Sequence, residues 1–228
     1  AFDRDLEAIQ ALIMKMGGLV EDAILQAAES LATRDVELAE KVRKADKVID
    51  ALEMQISEAA ARTIALRAPV SKDLRSVLTV LRLAAALERI GDYAKNMAKR
   101  TSVLVDMSPI AGAEASLRRM AREVQGMLKD TLDAYIRGDA QLAEDVRQHD
   151  QDVDQMYNAL FREFLTFMME DPRNITACMH LHFMAKNIER MGDLTTNMAE
   201  QVIYLITGEM PEEARPKSDK TSYMTEPK

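Results

Sequence analysis

Strand formers and turn formers are both scarce in this chain of 228 residues. Aromatic residues make up 4% and tryptophan is absent, so the ring-rich alternating runs of half-buried β-strands have little to be built from. Glycine and proline number only 8 and 6, which leaves few turns and makes each element long. The single cysteine, Cys178, excludes an internal disulfide and fits a reducing compartment. No apolar run approaches the length of a membrane span, and no N-terminal stretch reads as a signal peptide, so a cytoplasmic location is expected. A basic excess is missing as well. The formal net charge of −8 argues against a nucleic-acid partner. What is present is a 47% apolar complement that includes 16 methionines, a mixture suited to packed helices.

Apolar residues recur with a 3.6-residue period almost throughout, which predicts an all-α chain of six long antiparallel helices over 4–31, 35–66, 72–105, 114–137, 140–169 and 173–207. Asp35 and Asp139 are placed to cap two of them, and Pro69, Pro109 and Pro172 cannot sit inside a helix. Residues 35–50 align without a gap with 139–154, pairing Leu38 with Leu142 and Val42 with Val146, and Pro69 and Pro172 then occupy the same turn. The chain therefore reads as two tandem, pseudo-symmetric three-helix bundles, residues 1–107 and 113–209. The tail, 210–228, is rich in charge and contains Pro211, Pro216 and Pro227. It is expected to be disordered.

One phrase is written twice. Glu-Arg-Ile-Gly-Asp-Tyr-Ala-Lys-Asn-Met-Ala at 88–98 returns as Glu-Arg-Met-Gly-Asp-Leu-Thr-Thr-Asn-Met-Ala at 189–199. In each copy Glu, Asp and Asn stand at i, i+4 and i+8, a spacing that puts three oxygen-bearing side chains in one stripe on a helix. Folding the second and third helices back at Pro69 adds a second row. Asp50 and Glu88 each lie nineteen residues from that proline, and Asp46 and Asp92 each lie twenty-three away. In the second half Asp154 and Glu189 are eighteen and seventeen residues from Pro172, and Asp150 and Asp193 are twenty-two and twenty-one. Each half thus sets four carboxylates level across a helix pair, with Asn96 or Asn197 at the edge. Ionised together they repel one another and either raise a pKa or recruit a cation. All-oxygen ligands favour magnesium, manganese, calcium or iron over zinc.

The stripe lies roughly opposite the apolar arc of Val80, Leu83, Leu87, Ile90, Ala94 and Met97, while Asp46 and Asp50 oppose Val48, Leu52 and Ile56. Both patterns predict a solvent-exposed site. Gly91 and Gly192 each cost about 1 kcal/mol inside a helix and are best accounted for by close helix approach. Gly17 and Gly18 are expected to bend or weaken the first helix. His180 and His182 match Thr79 and Leu81 in the first half, which argues against a ligand role for them. No Ser-His-Asp set, phosphate-cradling glycine loop or Cys-x-x-Cys pair occurs, so the common nucleophilic, nucleotide-hydrolysing and zinc-ribbon chemistries lack their residues.

These two phrases, together with Phe-Asp-Arg-Asp-Leu at 2–6, Asp-Pro-Arg-Asn-Ile at 171–175 and Val-Ile-Tyr-Leu-Ile-Thr-Gly-Glu at 202–209, resemble the PhoU family over nearly the whole chain to residue 209. The resemblance implies a non-enzymatic negative regulator of the phosphate-starvation response. Such a regulator works as an adaptor between the ATPase subunit of a phosphate-specific ABC transporter and a sensor histidine kinase, and restrains phosphate uptake. It further implies a homodimer, membrane association only through partners, and divalent metal at Asp46, Asp50, Glu88, Asp92 and Asn96 and at Asp150, Asp154, Glu189, Asp193 and Asn197. Where the family often carries His after the motif Asp, this chain has Tyr93 and Leu194, which puts an auxiliary ligand there in doubt. The alternatives are a metal-dependent phosphohydrolase or oxidase built on the carboxylate clusters, and a purely structural dimer scaffold.

Overall fold

The computed structural model describes residues 1–212 and 218–224. Among them are six long α-helices and no strand: α1 (Phe2–Ala32), α2 (Val36–Arg67), α3 (Ser71–Leu104), α4 (Ala113–Arg137), α5 (Ala140–Glu170) and α6 (Ile175–Thr207). Their ends follow local chemistry. The Asp35 and Asp139 side chains each accept the backbone N–H three residues on, at 3.0 Å, and so start α2 and α5 as predicted. Ala68 in left-handed geometry stops α2 before Pro69, and Gly138 and Gly208 stop α4 and α6 in the same way. α6 begins later than its periodicity predicts. Asp171 caps the backbone N–H of Arg173 at 2.9 Å and winds Pro172–Asn174 into a 3₁₀ turn first.

Helices α1, α2 and α3 pack into one bundle and α4, α5 and α6 into a second. Ile13, Met16, Val20, Ile24, Ile49, Leu83, Leu87 and Ile90 fill the first, and Met120, Val124, Leu128, Val153, Met184 and Ile188 the second, all essentially inaccessible to water. The bundles meet along two helix pairs, α1 on α4 and α3 on α6. Arg118 reaches Glu29 at 3.2 Å and Gln125 reaches Glu21 at 2.8 Å across the first pair. Arg82 donates to Gln201 at 2.6 Å near one end of the second pair and Arg100 to His180 at 3.0 Å near the other. Low numbers on α3 therefore meet high numbers on α6, and the two helices run antiparallel. Arg34 ties the joint. From a left-handed turn its guanidinium donates to the carbonyls of Leu104, Val105 and Met107, which terminate α3.

Gly17 and Gly18 do not interrupt α1, which runs unbroken from residue 2 to 32. A Cβ at Gly17 would lie 2.3 Å from a methyl of Leu132, so its absence lets α1 and α4 touch. Gly18 meets nothing within 4 Å. In the tail, residues 213–217 and 225–228 lie outside the described residues. The stretch 218–224 contains the short 3₁₀ turn Thr221–Tyr223 and lies against α5 and α6.

Candidate metal centre

The level pairs predicted by counting from the prolines come together in space. Asp46, Asp50 and Asp92 each offer a carboxylate oxygen, and the three atoms lie within 4.8 Å of one another; Asp150, Asp154 and Asp193 repeat the arrangement between α5 and α6. Glu88 stands beside the first triad, close enough to hydrogen-bond Asp92, and Glu189 beside the second, close enough to hydrogen-bond Asp193. Asn96 is exposed and faces a groove between the bundles, and Asn197 is exposed on α6.

The predicted exposure of these sites is corrected by the structure. Asp46 is 3% exposed, Asp150 and Asp154 are sealed, and Glu189 is 2% exposed, while Asp50, Glu88, Asp92 and Asp193 are half-buried. The reason lies in helix phase. The inward positions of α2 run Ala39, Val42, Asp46, Ile49, Leu52 and Ile56, at steps of three and four, and Val48 points to solvent at 50% exposure. Asp46 is therefore a member of the core seam. On α5 the seam reads Val146, Asp150, Val153, Tyr157, so Asp150 has the same station.

The motif glycines face these aspartates. A Cβ at Gly192 would stand 3.1 Å from Oδ1 of Asp150, and one at Gly91 would stand 3.5 Å from Oδ1 of Asp46 and 3.3 Å from Ile49. Close helix approach is thus their role, and what they admit is a carboxylate. Oδ1 of Asp46 and Oδ1 of Asp50 are buried without any hydrogen-bond donor. A buried carboxylate oxygen in that condition costs about 1 to 3 kcal/mol, more when charged, and a cation removes the cost. Desolvation, followed by the hydrogen bond to Asp92 and the neighbouring charges, pushes Glu88 up to about 7. Desolvation and the charge of Asp193 do the same to Glu189, also to about 7. The donor set is entirely carboxylate oxygen, which fits a hard divalent cation.

Neighbours invisible to the motif make the two sites different. In the first, Lys95 donates to Asp46 at 2.5 Å and to Asp92 at 3.0 Å, so an ammonium already sits among the carboxylates and is held protonated by them. Its counterpart in the second phrase is Thr196, which is buried and bonded to the Gly192 carbonyl. There the positive side comes from Lys186, 3.0 Å from Glu189, and from the returning segment. The backbone N–H of Ser218 donates to Asp154 at 2.8 Å, Lys186 also pairs with Asp219, and Asn158 bonds the Ser218 carbonyl and the Lys220 N–H. His182 packs among Tyr157, Phe161 and Phe183 and lies outside the triad. Lys95 and Lys186 read in the sequence as ordinary surface charge. Their spacing of three from Asp92 and from Glu189 is the only signal that could have singled them out.

The model of the PhoU domain matches the chain twice, over residues 13–101 and 117–202, and each match encloses one carboxylate triad. A phosphate-specific transport system accessory protein PhoU homolog from Rhizobium meliloti is 44% identical over 97% of this chain and 94% of its own length. The homolog from Zymomonas mobilis is 46% identical over 95% of this chain and 92% of its own. Among solved structures, PhoU from Pseudomonas aeruginosa superposes with a TM-score of 0.88 at 37% identity, covering 92% of this chain and all of that one. The phosphate transport system regulatory protein PhoU from Streptococcus pneumoniae does so at 0.84 with 30% identity, over 93% of this chain and all of its own. Matched over nearly its full length by sequence and by fold, the chain belongs to the PhoU family.

Proposed function

We propose that this protein is a non-enzymatic negative regulator of the phosphate-starvation response, an adaptor that binds the ATPase subunit of a phosphate transporter and a sensor histidine kinase. The observation that carries the reading is the end-to-end match to relatives named as accessory and regulatory proteins of phosphate transport. A protein of this kind acts through differential affinity, shifting a kinase or transporter between states. The reading includes a homodimer in the cytoplasm that meets the membrane only through partners. No helix among the described residues is long and apolar enough to cross a membrane.

Divalent metal belongs to the same proposal, held by Asp46, Asp50 and Asp92 with Glu88 beside them, and by Asp150, Asp154 and Asp193 with Glu189 beside them. The two triads sit on separate helix pairs and hold only aspartates among the described residues, whereas a two-metal hydrolase needs ions about 4 Å apart in one pocket. Regulation is therefore favoured over catalysis.

The test is a reporter of the starvation response in a strain lacking the gene, complemented with wild type or with Asp92→Asn/Asp193→Asn. The expected result is high output in the deletion strain at high phosphate, repression by wild type, and co-purification of transporter ATPase and kinase with the tagged protein. Normal repression in the deletion strain would overturn the adaptor reading. Full metal content in the double variant would overturn the metal assignment alone.

A further inference from the structure

The acidic clusters have a basic counterpart elsewhere. Between α3 and α6, at the end where Arg100 meets His180, lies a groove of about 530 Å³ whose lining includes Lys99, Arg100 and Arg190 and no carboxylate among the described residues. None of these three cations forms an ion pair among the described residues, in a chain whose net charge is −8. Arg100 is held in place. Its guanidinium lies 4.3 Å from the ring centre of Phe183, and Nη1 donates to Nδ1 of His180 at 3.0 Å. Since arginine only donates, that histidine nitrogen is the acceptor and its ring is neutral. Asn96 and Asn187 add amide groups to the same wall.

The pseudo-symmetry shows that Lys99 and Arg100 have no basic counterparts at the other end, although the mirrored groove carries arginines of its own, Arg75 and Arg82. When the repeated phrases are aligned at Glu88 and Glu189, Lys99 and Arg100 correspond to Glu200 and Gln201, and His180 and Phe183 to Thr79 and Arg82. At that mirrored end Arg82 donates to the neutral amide of Gln201 at 2.6 Å, and the place of Lys99 is taken by an acid, Glu200, which pairs with Arg147 at 3.4 Å. Asn96 and Arg190, by contrast, have the like residues Asn197 and Arg89. Common helix packing therefore accounts for neither Lys99 nor Arg100.

We propose that this groove is an anion site that takes a phosphoryl group, either as free phosphate or carried on a small organic molecule. Two guanidinium forks and an ammonium offer more positive charge and more N–H donors than one carboxylate can accept, and they match a group with three terminal oxygens and a charge near −2. The volume exceeds what a lone oxyanion fills, and Phe183 and Val103, 44% and 42% exposed beside the cations, supply an apolar shelf for an attached ring. Burial without a counter-charge lowers the affinity of Arg100 for its proton, the condition that a bound anion relieves.

The test is calorimetric titration of the full chain, freed of metal by chelation, with inorganic phosphate and separately with adenosine monophosphate. Expected is saturable binding of at least one probe at one site per chain, weakened about tenfold or more by Arg100→Gln and by Arg190→Gln and unchanged by Arg89→Gln. Arg100→Gln installs the residue that the mirrored position already carries, and Arg190 is exposed, so neither change disturbs the core. Circular dichroism checks this. Equal affinity for both probes assigns the site to free phosphate. Tighter binding of the nucleotide, with the advantage lost in Phe183→Ala, assigns it to a carried group. No saturation by either probe up to about 10 mM, or equal weakening by Arg89→Gln, would overturn the proposal.

Discussion

A charged side chain on the inward seam of a helix needs a compensating charge, and Asp46 has Lys95. A divalent cation at the proposed site would compete with the ammonium for the same carboxylates. Lys95→Ala is therefore expected to destabilise the metal-free protein by about 1 to 2 kcal/mol, toward the lower end because the lysine side chain is 37% exposed and screened. The same change should tighten metal binding in the first bundle and leave the second untouched. Denaturant melts and metal titration check the two arms. Glu88 and Glu189 govern the response to pH. Each has a folded-state pKa near 7, raised from 4.5, so each stabilises the fold when protonated. That contribution is fully present below about pH 4.5 and is lost as pH rises through 7. In chelator the melting temperature should fall across this window. The Glu88→Gln/Glu189→Gln variant should show a flatter profile, and an unchanged slope would show that other groups set it.

The residue scale is also where the sequence misleads. The repeated Glu and Asp stand at the carboxylate clusters, while Asn96 faces the groove between the bundles instead, and counting from Pro69 and Pro172 pairs the helices correctly. A wheel drawn on apolar residues alone nevertheless turns α2 toward Val48. The polar member of the seam is left out of the pattern that defines the seam, so Asp46 reads as surface. Gly91 and Gly192 carry the missing information, since each faces one of these aspartates. Gly192→Ala should lower metal content in the second bundle by displacing Asp150, with a smaller effect from Gly91→Ala, where the nearest approach is 3.3 Å to Ile49 and the Asp46 oxygen stands 3.5 Å away. Metal analysis of the purified variants decides it.

At the scale of elements, the starts of α2 and α5 were legible because their cause is local, the capping side chains of Asp35 and Asp139, whereas the left-handed glycines Gly138 and Gly208 that stop α4 and α6 emerge from the structure. Gly17 and Gly18 were not legible either, because their difference lies in α4, more than a hundred residues away. Two neighbouring substitutions separate the two. Gly18→Ala, into open space, should stabilise by about 0.5 to 1 kcal/mol through helix propensity. Gly17→Ala drives a methyl into buried Leu132 and should destabilise by about 1 to 2 kcal/mol, as overpacked cores do. Thermal melts of the two proteins should therefore shift in opposite directions.

For the whole molecule, two bundles could be inferred from the repeat, but the way they pack could not. The joint depends on contacts such as Arg34 with the end of α3 and Arg118 with Glu29, which no periodicity announces. Because apolar packing fills both cores, chelation should leave helical circular dichroism intact and lower the melting temperature only by the linkage that metal binding supplies. Collapse of the helical signal in chelator would show that metal is structural. The returning segment adds a kinetic consequence. Ser218 and Lys220 are tethered about ten residues beyond Gly208, so the groups that cover Asp154 and Asn158 are present at an effective concentration on the order of millimolar. Any outside ligand for that face, an ion or a partner's backbone, meets an incumbent that never diffuses away. Its apparent affinity falls by the fraction of time the face is covered. Arrival at the second triad is thereby set by how often the returning segment lets go, while at the first triad the incumbent is a single side chain, the Lys95 ammonium.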